Sequence, residues 1–158
     1  MGIVNPSGGS GAWAKIAEAT TTATTTITFS SITSGYRMLM LCGSYKISAA
    51  SKTFSILVNN DNAANHYIYR RNFASSDSAS SITGEGSDAG SDEGFFYLLI
   101  YNTTTAFNKG FMYAAGKETT QCMCHGYWVN STDEISRLDV VASADFVAGG
   151  YMALYGAV

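Results

Sequence analysis

The chain has 158 residues, 46% of them hydrophobic and only 13% charged, with a net charge of −3. A domain of that length buries roughly 68–70% of its unfolded surface, and this composition is too apolar and too weakly charged for a disordered chain. The acidic balance leaves no electrostatic footprint for nucleic acid or an anionic membrane surface, and no run of about 18 apolar residues encodes a transmembrane helix.

Residues 1–23 are expected to form a flexible N-terminal arm, because Gly8, Gly9, Ser10 and Gly11 give the chain little reason to fold. The opening "MGIVNPSGGSGAWAKIAEA" lacks the charged-then-apolar order of a secretory signal, and Pro6 stands where myristoylation needs Ser or Thr. Synthesis in a reducing cytoplasm is expected, and three cysteines (Cys42, Cys122 and Cys124) cannot all pair. Beyond the arm, short apolar runs bounded by Gly, Ser, Asn or Asp predict strands over 24–29, 36–42, 53–59 and 66–73. Further strands are expected over 95–101, 110–115, 121–128, 135–142 and 151–155. No segment has a helical period. Regularly spaced short strands predict an all-β sandwich or barrel occupying residues 24–158.

The segment 74–94, "ASSDSASSITGEGSDAGSDEG", breaks that rhythm and carries five of the twelve acidic residues with no basic one. Its Ser/Gly content predicts an exposed, mobile loop at one end of the sandwich.

The chain offers few constellations for chemistry. "CMCH" at 122–125 suggests a metal clip, but strand alternation puts Cys122 and Cys124 on one face and Met123 and His125 on the other. A structural zinc site needs four convergent ligands, so the cysteines are expected to be small core residues. In "VNNDNAANHY" (58–67) the amide oxygens suggest Ca²⁺. A single carboxylate is little for a divalent cation, so the expected role is closing a turn through side-chain-to-backbone bonds. Nothing resembles a nucleophile elbow, and no carboxylate spacing favours a glycosidase pair. The expectation is a protein without catalytic residues, metal or cofactor. Ten tyrosines, eight phenylalanines and two tryptophans are expected mostly in the core or at a subunit contact.

The chain closes on "FVAGGYMALYGAV", thirteen residues without a charge. A terminus frays unless something ties it down. Here it is expected to be tied down as the last strand.

Taken as a series, "ITFSSITSGYRMLML" (27–41), "FSILVNNDNAANHY" (54–67), "FFYLLIYN" (95–102) and the closing stretch resemble a jelly-roll family of tailed-bacteriophage virion proteins. That family enters a strand through F-S-x-I, follows it with a Tyr and an alternating strand, turns through N-x-D…N-x-Y, and ends in G-S/G-x-x-x-L-Y-G. Gly150 stands where Ser is common, and "NND" lacks the usual glycine. The resemblance implies a jelly-roll sandwich of about eight or nine antiparallel strands that assembles as a homotrimer, with Tyr151, Leu154 and Tyr155 of the last strand burying area against the sheet and a neighbouring subunit. It further implies a capsid decoration (cement) protein on the virion surface, made in the host bacterial cytoplasm, with the phage major capsid protein as partner. On that reading the arm reaches the capsid, with Trp13 and Ile16 as anchors, since a large aromatic beside a flexible arm is a frequent hot spot. The alternative is a tail-fibre or receptor-binding domain recognising host surface glycans.

Overall fold

The computed structural model describes residues 13–49, 52–71, 76–87, 93–102, 107–117 and 120–158. Among these, regular structure is entirely β. β1 (Ala14–Thr20), β2 (Thr26–Phe29), β3 (Met38–Tyr45) and β4 (Lys52–Val58) come first, followed by β5 (Tyr67–Arg71), β6 (Ser76–Ala79), β7 (Ile82–Ser87) and β8 (Gly94–Tyr101). β9 (Lys109–Lys117), β10 (Thr120–Trp128), β11 (Leu138–Ala142) and β12 (Tyr151–Ala157) complete the order. All nine expected strands are present, each shifted by a few residues at most.

The strands form two antiparallel sheets. One has eight strands in the order β1-β12-β3-β8-β9-β10-β5-β6, and the other has four in the order β2-β11-β4-β7. Four pairings are nested along the chain: β1 with β12, β2 with β11, β3 with β8 and β4 with β7. β9, β10, β5 and β6 extend the large sheet beyond β8.

Period-2 alternation explains which residues are enclosed. In β8, Phe96, Leu98 and Ile100 point inward while Phe95, Tyr97 and Tyr101 face out. β3 adds Leu39, Leu41 and Tyr45 from the same sheet, and β2, β4 and β11 answer with Ile27, Phe29, Phe54, Ile56, Val58, Leu138 and Val140. At one end Tyr45 stacks on Phe54 at 4.2 Å and 11° between planes, with Phe96 and Phe146 set around them.

Three strands lie where none was expected. β1 occupies residues 14–20 of the stretch read as an arm, because Ile16, Ala17 and Ala19 pack against the core and a ladder to β12 takes up their backbone groups. Ile16 is the extra residue of a bulge, since Lys15 pairs with Tyr155 and Ala17 with Leu154. The remainder of that arm up to residue 12 lies outside the described residues. Most of the expected 74–94 loop is also strand: β6 pairs with β5, and β7 pairs with β4, closing the small sheet. The buried Ile82 anchors this otherwise polar run. Residues 74, 75 and 88–92 of the loop are outside the described set.

Candidate interaction face

The outer side of the large sheet is the most unusual surface of the molecule. Its register can be followed rung by rung. Tyr155 pairs with Met40, Met40 with Leu99, Leu99 with Met112, and Met112 with His125. The next rung runs Ala153, Cys42, Tyr97, Ala114 and Met123. Residues on one rung share a face, so these side chains all stand outward together. Across β12, β3, β8, β9 and β10 no described outward position is Asp, Glu, Lys or Arg. Charges appear only at the margins, with Lys15 and Glu18 on β1 and Arg70 on β5.

Five strands at about 4.8 Å spacing and three two-residue steps of about 6.8 Å give this field a plan of roughly 24 Å by 20 Å. Side chains standing above that plane add accessible area. The largest apolar patch on a typical monomer is about 300–600 Å², and each side of a stable interface buries about 800 Å². The plan of roughly 480 Å² therefore lies in the upper half of the range for a single patch on a monomer. Met123, Tyr127, Met112 and Phe95 are all at least half exposed.

Near the end of the sheet where β8 finishes, the face opens into a trough of about 350 Å³ lined by Tyr101, Met112, His125 and Tyr127 around Gly110 and Gly126. Gly110 is what keeps it open: a Cβ there would sit 3.9 Å from both the Tyr101 and the Tyr127 rings.

The residues singled out in the sequence divide between surface and core. Tyr151 is exposed on the outer face, where its hydroxyl donates to Glu18 Oε2 at 2.6 Å, and the same oxygen accepts from Lys15 Nζ at 2.8 Å. Tyr155 is half-buried on that face. Leu154 points the other way and is fully buried inside its own sandwich, so its contact is with the chain's own core. Trp13 is half-buried at the entrance to β1, and Ile16 packs against the core.

The groups considered for chemistry are dispersed. Cys122 and Cys124 are buried side by side on the inner face of β10, while Cys42 stands on the outer face of β3. The hydrogen bond with Cys122, and then burial, push the Cys124 thiol up, so that it stands as the neutral thiol of a packed core residue. Among the described residues no three His, Cys, Asp or Glu side chains gather as a metal site would require.

The Asn-rich turn is a structural hub. Asn59, Asn60 and Asn65 take left-handed φ values of 52°, 56° and 66°, a conformation Asn tolerates better than most residues. Asn59 accepts from the backbone N–H groups of Ser136 and Arg137 and donates to the Glu134 carbonyl. Asp61 Oδ2 accepts from Trp128 Nε1 at 2.7 Å and bonds His66 Nδ1 at 2.8 Å, while Oδ1 accepts from the Ala63 N–H. The expected turn closure through side-chain bonds is what these contacts perform.

Sequence reasoning missed Lys109, which is fully buried, has no hydrogen-bond partner for Nζ among the described residues, and lies 6.0 Å from the Trp128 ring centroid. At the head of a strand beside Asn108 it carries no burial signal in the sequence. The chain matches no protein-family model, and no curated protein matches it at a significant level.

Proposed function

We propose that this protein is a non-catalytic bacteriophage virion component, a homotrimeric capsid decoration protein whose subunits pack through the outer face of the eight-stranded sheet. The observation that carries the reading is the uncharged five-strand field from Tyr151 to Tyr127. Closed cyclic assembly is the ordinary way for a chain to cover such a surface with copies of itself. The nested pairing of β1 with β12, β2 with β11, β3 with β8 and β4 with β7 supports a jelly-roll wrapping of the sandwich. The resemblance of the strand and turn motifs to phage virion proteins supports the capsid as the place of work.

With Ile16 engaged in its own core, the capsid contact falls to Trp13 and the Gly/Ser-rich segment before it. Trp13→Ala then leaves a folded domain of unchanged oligomeric mass that binds capsids more weakly. Purified protein mixed with undecorated phage capsids and sedimented tests the reading. Co-sedimentation at a fixed stoichiometry is expected. Binding to host surface polysaccharide with no affinity for capsids would replace it by the fibre-tip reading.

A further inference from the structure

The trough between Tyr101 and Tyr127 is concave, apolar and open, which is not how a packed sheet normally finishes. Two glycines, Gly110 and Gly126, lie beneath it, and no charged side chain lines it. At about 350 Å³ it is at the small end of the range for a ligand pocket, ~300–1,000 Å³. A polar ligand would find few partners there: two phenol hydroxyls and one imidazole, with the ladder pairing β9 to β10 running beneath. The lining suits a single large apolar group.

The same chain carries such a group at the same end of the sheet. Phe107, two residues before β9, is 71% exposed, the highest value among the exposed large hydrophobics. Tyr101 ends β8, Gly110 is the second residue of β9, and Tyr127 is the penultimate residue of β10. Knob and hole therefore sit at the same end of the large sheet, with Phe107 three residues outside Gly110 along the chain. A rotation axis running roughly along the strands keeps that end of every copy together, so it can bring the knob of one copy beside the hole of the next. A contact between two different patches of identical chains is heterologous and closes into a ring when the rotation allows.

We infer that Phe107 of one copy seats in the Tyr101–Gly110–Tyr127 trough of its neighbour, fixing the register of the trimer. This rests on the homotrimer reading and says which residues carry its specificity. An aromatic anchor seated in an apolar recess and closed over by the partner is where binding energy concentrates in an interface. The surrounding flat field supplies area and excludes water.

Two variants break opposite halves of the contact. Phe107→Ser removes the knob, and an exposed Phe leaves the fold intact when replaced. Gly110→Leu fills the hole, and circular dichroism and thermal melting of each variant report folding. Sedimentation equilibrium across a concentration series gives the assembly constant. Each variant is expected to weaken assembly at least tenfold, and the double variant to be no weaker than the worse single one, because the two lesions share one contact. Mixed together, the two single variants are expected to form hetero-oligomers at concentrations where neither assembles alone, since a Gly110→Leu copy still offers Phe107 to the intact trough of a Phe107→Ser copy. A wild-type trimer matched by an equally stable Phe107→Ser trimer would overturn this contact while leaving the trimer reading intact. A monomeric wild type would remove both. Polysaccharide bound to the wild-type trimer and lost in Tyr127→Ala would also overturn it, by giving the trough an occupant from outside.

Discussion

Trp128 donates its indole N–H to Asp61 Oδ2 at 2.7 Å, joining the end of β10 to the turn between β4 and β5. Trp128 is almost wholly buried, so its N–H has no water to fall back on. Asp61→Ala is expected to cost about 1–3 kcal/mol, the penalty for leaving buried donors unsatisfied, with a shift in tryptophan emission. Urea unfolding followed by fluorescence measures both. An unchanged midpoint would mean the turn is held without Asp61.

The same carboxylate sets an acid limb. Burial pushes the Asp61 carboxyl up, but hydrogen bonds from Trp128, His66 and the Ala63 N–H outweigh that and hold it below its ordinary 3.8. A carboxyl depressed in the folded state contributes stability above its unfolded value, and that contribution is lost as pH falls through the folded value. Stability is expected to drop as pH falls below about 4, and Asp61→Asn to flatten that drop. Parallel acid limbs in the two proteins would contradict it.

Lys109 works against the fold at neutral pH. Burial pushes its ammonium down from the ordinary 10.5, with Asp133 and Glu134 only partly opposing. The unfolded chain therefore binds the proton more readily, and stability rises with pH between the folded and unfolded values. Lys109→Met, which keeps the length and drops the charge, is expected to stabilise by about 1–3 kcal/mol at pH 7. That gain should shrink toward pH 10.5, where the lysine loses its proton in both states. Urea midpoints at the two pH values measure it, and a destabilised Lys109→Met would show that the ammonium has a function at that site.

Gly156 is the point where the Tyr36 ring closes over β12. A Cβ there would overlap the ring. Gly156→Ala is expected to cost about 1–3 kcal/mol, as overpacking does, and adding Tyr36→Ala should recover part of that loss. A calorimetric melt of the three proteins decides, and additive losses would mean that the two residues do not share the strain.

Much of the fold was legible because nine strands alternate cleanly or run apolar between turn residues. β1 was harder to see: in "AKIAEAT" small alanines carry the inner face, and a bulge at Ile16 interrupts the period. β6 and β7 hid in Ser and Gly, since β-propensity is weak where one isoleucine, Ile82, supplies the buried anchor. The uncharged outer face was hidden for a different reason. "FFYLLIY" is apolar on both faces, and a sequence cannot distinguish a strand covered twice within its own chain from one covered by another molecule. Only the register, by placing Phe95, Tyr97, Leu99 and Tyr101 on the side away from the small sheet, separates the two. Leu154 illustrates the same limit, since neighbouring residues of one strand serve opposite faces.

In the proposed assembly, other copies of the chain cover the outer face of the large sheet. Multi-angle light scattering at micromolar concentration tests it most directly, on the wild type and on Leu99→Lys, which places a charge at the middle of the field. Three times the 16.8 kDa chain mass is expected for the wild type, and a folded monomer for Leu99→Lys. A wild type that elutes at 16.8 kDa, or a Leu99→Lys protein that remains trimeric, would contradict it.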